Sequence, residues 1–134
     1  MNISVIDKSN YLKGLLIVAK KDNQLAHVEK EMIRGIATKL GFAKDFYEET
    51  LHNLLANKYI TDFPVIFSDK KIAESFIKDG LMLAYSDNQV SDIELQWLYN
   101  TAIENGITPE WFEEKKREYR TNSTTKSFAL YSII

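Results

Sequence analysis

The chain has 134 residues, 45% of them apolar and 27% charged, with a formal net charge of −2 and no cysteine. That size suits one ordinary domain, which buries roughly 65–70% of the surface its unfolded chain exposes and needs no metal or disulfide to hold together. The composition excludes thiolate metal sites, disulfides and cysteine nucleophiles, and it lacks the positive excess of a nucleic-acid binder. The densest basic run, Lys115-Lys116-Arg117, is flanked by Glu113, Glu114 and Glu118. Met1 to Asp7 has no signal-peptide pattern and no stretch approaches the roughly 20 apolar residues of a membrane span, so the expectation is a cytoplasmic protein.

In chain order, Ile3-Ser-Val-Ile6 is an apolar piece that suits either a short extended segment or coil. A first helix, about Ser9 to Lys21, stripes Leu12, Leu15, Leu16 and Ala19 on one face. A second, about His27 to Leu40, stripes Val28, Met32, Ile36 and Leu40, with Gly41 placed for a left-handed C-cap. A third, about Lys44 to Ala56, stripes Tyr47, Leu51, Leu54 and Leu55. Lys58 to Phe67 is apolar and β-branched, but Pro64 argues against a central strand. A fourth helix, about Asp69 to Tyr85 with Ser68 as N-cap, stripes Ile72, Phe76, Ile77, Leu81 and Ala84. Ser91-Asp92-Ile93-Glu94 reads as a capping box opening a fifth helix that stops at Gly106. Thr108-Pro109 opens a sixth that runs to about Arg120.

Two stretches align without a gap. Leu16 to Glu49 matches Leu81 to Glu114, setting Asp22-Asn23-Gln24 on Asp87-Asn88-Gln89, Glu29 on Glu94, Gly41 on Gly106 and Phe46 on Trp111. The expected architecture is therefore all-α: one six-helix bundle over 1–134, built from two three-helix repeats with pseudo-two-fold symmetry. Repeat one covers about 9–57, repeat two about 68–120, and a tail spans 121–134. Neither repeat should fold alone, because each leaves an apolar stripe that only the other covers.

This duplication, with an Asp-led loop between helices and a glutamate just inside the next helix, resembles the TerB-like family of tellurite-resistance proteins. That family also includes the N-terminal domain of a DnaJ-type co-chaperone. The family pattern A-x-A-D-G-x-[IV]-x-x-x-E is matched by Val18 to Glu29 and by Leu83 to Glu94. Asn23 and Asn88 replace its glycine, and asparagine tolerates the left-handed turn. The resemblance implies an all-helical bundle with no established enzymatic activity, whose acidic loops are suggested to bind metal.

The candidate metal ligands are Asp22, Glu29, Asp87 and Glu94, suited to a hard divalent cation such as Ca, Mg or Mn, or to Zn. One loop is too poor by itself, and an EF-hand is excluded because its twelfth position falls on Ile33 or Leu98. The same residues equally suit helix capping: Asp bonds its own loop amides and Glu answers the N-terminal N–H groups. His27 and His52 read as surface residues, without metal-ligand spacing. Trp97, Trp111, Phe46 and Phe112 read as core. Phe128 to Ile134 is apolar and strand-prone, so it should pack on the domain, pair two copies as a homodimer or dock on a protein partner. No nucleophile elbow or phosphate loop is present. The expectation is a non-enzymatic stress-response or adaptor module, with divalent metal binding as the alternative; an enzyme would require the carboxylates to converge on a catalytic metal.

Overall fold

The computed structural model describes residues 3–20, 27–56, 63–86 and 91–122. They form six helices: α1 (Val5–Lys20), α2 (His27–Lys39), α3 (Lys44–Ala56), α4 (Lys70–Ala84), α5 (Asp92–Glu104) and α6 (Pro109–Asn122). No strand occurs among the described residues. No described helix is long and apolar enough to cross a membrane. The tail beyond Asn122 and the loops carrying Asp22 and Asp87 lie outside the described residues.

Helices α1 and α4 form the most extensive pairing and make the centre of the fold. Around them, α2 and α3 pack on α1, while α5 and α6 pack on α4. The central position follows from sequence. Leu12, Leu15, Leu16 and Ala19 are buried as their stripe requires, but so are Ile17 and Val18 on other faces of α1. In α4 every residue from Asp79 to Ala84 is buried. A helix apolar on all sides has to be surrounded, and each large side chain it buries contributes roughly 1.5–3 kcal/mol. The α1/α4 crossing is close, since a Cβ on Gly14 would stand 2.5 Å from Cζ of Phe76; α4 and α5 approach as closely, a Cβ on Gly80 standing 2.6 Å from Cδ2 of Leu98. Phe76 then joins the two halves through edge-on contacts with Tyr11 (5.3 Å) and Trp97 (6.1 Å).

The helix ends obey local rules, with two corrections. Gly41 (φ 91°) and Gly106 (φ 79°) adopt the left-handed conformation. At both, the glycine N–H and the next N–H bond back to helix carbonyls, Thr38 and Ala37 in one case and Ile103 and Ala102 in the other, which is the Schellman arrangement. Thr108 caps α6, its Oγ1 accepting from the Trp111 amide at 3.2 Å. By contrast, α1 begins at Val5 rather than near Ser9, because Ser4 Oγ accepts from the Asp7 amide at 3.1 Å and supplies the cap. The N-cap of α4 is Asp69, not Ser68: the Asp69 carboxylate accepts from the Lys71 amide at 2.8 Å. Ser68 is drawn off by Asp7 of α1, to which its hydroxyl and amide donate at 2.5 and 3.1 Å.

Residues 63–67 have no regular secondary structure and pack as extended coil. Val65 and Phe67 are buried while Phe63 and Ile66 are exposed. The segment is held by Asn105 at the end of α5, whose Nδ2 donates to the Val65 carbonyl (2.8 Å) and whose Oδ1 accepts from the Phe67 amide (2.9 Å). One side chain thus stands in for the neighbouring strand that Pro64 discourages. Of the four aromatics expected in the core, Trp97 and Phe112 are buried and Trp111 is half-buried. Phe46 is 51% exposed and stacks on Phe42 instead. The inward position on α3 is its neighbour Tyr47, because one residue turns a helix by about 100°.

Candidate functional site

Two of the four acidic candidates can be placed. Glu29 lies in the first turn of α2 and Glu94 in the first turn of α5, and each is 1% exposed. Neither is without a partner. Asp22 and Asp87 lie outside the described residues. Ser91 caps α5, its Oγ accepting from the Ile93 amide at 3.2 Å, so Glu94 occupies the third helical position expected of a capping box. Burying a carboxylate costs several kcal/mol unless hydrogen bonds or a cation compensate it. Among the described residues no three His, Cys, Asp or Glu side chains gather closely enough to hold a metal. The described part supplies one carboxylate from each motif, and a cation would need the loop residues as well.

Tyr85 lies at the end of α4, two residues before Asp87. It is the C-cap of α4 and only 6% exposed. Burial pushes its phenol above the ordinary value, while Arg120 of α6 acts in the opposite direction.

A second polar cluster lies in the centre, and it escapes a motif search. Tyr11 of α1 donates to Oδ2 of Asp79 on α4 at 2.5 Å, and both residues are fully buried. Ser75 Oγ stands 2.9 Å from the same phenol oxygen; because the phenol proton goes to Asp79, Ser75 is the donor there. Burial, and then the negative charge of Asp79, push the Tyr11 pKa well above its usual value, so the phenol stays protonated. The sequence did hold a signal: Ile72, Phe76, Asp79 and Leu83 follow one helical stripe, and an acid in such a stripe must be buried with a partner. Asp7 is a buried acid of α1. Burial raises its pKa, but the hydrogen bonds from Ser68 and Ser4 outweigh this and hold it below the ordinary carboxylate value.

The outer hairpins each carry an open groove. Between α2 and α3 it is lined by Glu31, Arg34, Thr38, Lys44, Tyr47 and Glu48. Arg34 Nε bridges the helices to Glu48 Oε1 at 2.5 Å, which holds the Glu48 carboxyl below its ordinary value. Between α5 and α6 the lining includes Asp92, Leu95, Tyr99, Phe112, Glu113 and Lys116. There, Tyr99 meets Phe112 edge-on at 5.4 Å.

No family model matches the chain, and no curated protein or solved structure is significantly similar to it.

Proposed function

We propose that the chain is a non-enzymatic TerB-like helical module, a stress-response or adaptor protein, built from two related three-helix units about a pseudo-two-fold axis. Support for the duplication comes from the helix starts: Val5 to Lys70, His27 to Asp92 and Lys44 to Pro109, the same step of 65 positions each time. The two buried glutamates and the two positive-φ glycines follow that step too.

The observation that carries the adaptor reading is a set of large apolar side chains left on one end of the fold. Val5, Ile6 and Phe63 are each more than 70% exposed and Ile66 is 53% exposed. They belong together because Asp7 binds Ser68 and because Asn10, one turn after Ile6, donates to the Ile66 carbonyl at 3.3 Å. Apolar surface of this kind is what a partner protein covers. A photo-crosslinking residue placed at Ile66 in cells should trap a discrete protein adduct, and Ile6→Asp should abolish it. A clean lane, or an adduct indifferent to Ile6→Asp, would sink the reading.

Divalent cation binding through Asp22, Glu29, Asp87 and Glu94 is the second reading, favoured by the nearly complete burial of both glutamates at matched positions. Titration of Ca²⁺, Mg²⁺, Mn²⁺ and Zn²⁺ against labelled protein should then move the amides of Asn23 and Asn88 saturably. Unmoved amides at millimolar metal leave only the capping role.

A further inference from the structure

The end of the fold that exposes the apolar side chains is also where both central helices begin. Ser68, just ahead of α4, binds Asp7 in the first turn of α1, and further along Tyr11 meets Ser75 and Asp79. The two helix starts are therefore neighbours. The step of 65 positions sets Val5 and Ile6 of α1 on Lys70 and Lys71 of α4, so one start is apolar where the other is cationic.

The cationic start is an exception. A helix opens with free N–H groups and the positive end of its dipole, which favour an acid there. Helices α1, α2, α3, α5 and α6 each carry one in the first turn. Helix α4 carries none and has two exposed lysines instead. A third lysine lies on the α1 side. Lys13 is exposed, one turn after Asn10, which binds the Ile66 carbonyl, and next to Gly14, which Val65 closely approaches. Over residues 3–13 and 63–71 the only exposed acid is Asp69, and its carboxylate accepts from the Lys71 amide. No ion pair among the described residues involves Lys13, Lys70 or Lys71. A chain of net charge −2 thus gathers positive charge around its apolar end.

We propose that this end binds an acidic segment of a partner protein, whose apolar side chains cover Val5, Ile6, Phe63 and Ile66 while its Asp or Glu side chains meet Lys13, Lys70 and Lys71. The proposal deepens the adaptor reading and rests on it. Charge complementarity selects the partner. A carboxylate over the start of α4 meets two ammonium groups and supplies the acid that this helix lacks, whereas a basic segment is repelled. An anionic lipid surface fits less well. Asn10 stands between Ile6 and Ile66 with its amide committed to the 63–67 segment, so the surface offers separate apolar points rather than the continuous apolar face that lies in a bilayer.

Random peptides displayed on phage and selected against the full-length protein supply the probe. Recovered sequences should be enriched in Asp and Glu among Leu, Phe and Trp. A synthetic peptide of the recovered sequence should bind Lys70→Glu/Lys71→Glu about tenfold more weakly at low salt, and Lys13→Glu more weakly too, while Lys70→Arg/Lys71→Arg keeps its affinity. Misfolding does not account for such a loss: glutamate suits a helix start, so the double variant should melt no lower than wild type. Peptides without acidic enrichment, a selection that recovers nothing, or binding indifferent to the charge reversals overturn the proposal. Lysine-dependent flotation with phosphatidylglycerol vesicles in place of peptide binding overturns it in favour of a lipid surface. An Ile66 adduct in cells that requires Ile6 but ignores the three lysines overturns it and leaves the adaptor reading standing; no adduct at all removes both.

Discussion

The central α1/α4 pair and the outer hairpins both carry polar contacts, and the difference lies in what surrounds them. Tyr11 and Asp79 meet where no water reaches, whereas Arg34, Glu31 and Glu48 meet at the edge with side chains 30–55% exposed. A hydrogen bond to a charge in the interior is worth about twice a neutral one, and deleting its donor removes part of what offsets the desolvation of the carboxylate. An exposed ion pair exchanges one hydrated arrangement for another and contributes little. Stability in this fold should therefore follow position rather than the number of polar contacts.

The strongest way to break that comparison is Tyr11→Phe, which removes one phenol oxygen and no packing. It should cost about 3 kcal/mol in denaturant unfolding. A loss below about 0.5 kcal/mol would mean the central pair is no more important than the surface ones. Next comes Asn105→Ala, which strips the Val65 carbonyl and the Phe67 amide of their partner and should cost about 2 kcal/mol. Gly14→Ala should cost about 1–2 kcal/mol. The new methyl collides with the Phe76 ring, and the better helix propensity of alanine returns only part of the strain.

Asp7 tests the same contrast through pH. Its folded pKa is depressed, so its bonds to Ser68 and Ser4 stabilise the fold above the unfolded carboxylate value of about 3.9 and are lost as pH falls through the folded value. Melting curves of wild type and Asp7→Asn should differ at pH 7 and converge as the pH drops below about 3.9. Tyr11 has the opposite sign. Its raised pKa favours the fold at neutral pH and turns against it as pH rises past about 10, so alkaline melts should fall earlier for wild type than for Tyr11→Phe. The smallest effect belongs to Arg34→Ala, whose shift should be within replicate error in 0.5 M salt, taken as roughly several times physiological ionic strength.

Much of the fold was legible because it is written locally. Apolar stripes on α2 and α4, glycines at 41 and 106, and Thr108-Pro109 each specify an element or an end without reference to the rest of the chain. What escaped depends on distant partners. Ser68 looks like a cap until Asp7, 61 positions away, claims it. Asn105 looks like an ordinary helix end until the 63–67 segment arrives beside it. Phe46 follows the alignment of the two copies but not the helical stripe, and the stripe prevails because α3 can turn only one face inward. For the acidic site, sequence gave the residue types and their spacing. Capping and cation binding want the same carboxylates there, so spacing could not choose between them.

Asn105 also decides how this chain can be cut. Because its amide grips 65–67, and Val65 in turn lies over Gly14 of α1, a break ahead of Phe63 leaves that strap attached to the C-terminal fragment. The fragment would carry its own plug for the other piece, so two-part complementation should favour that cleavage point over one placed after Phe67.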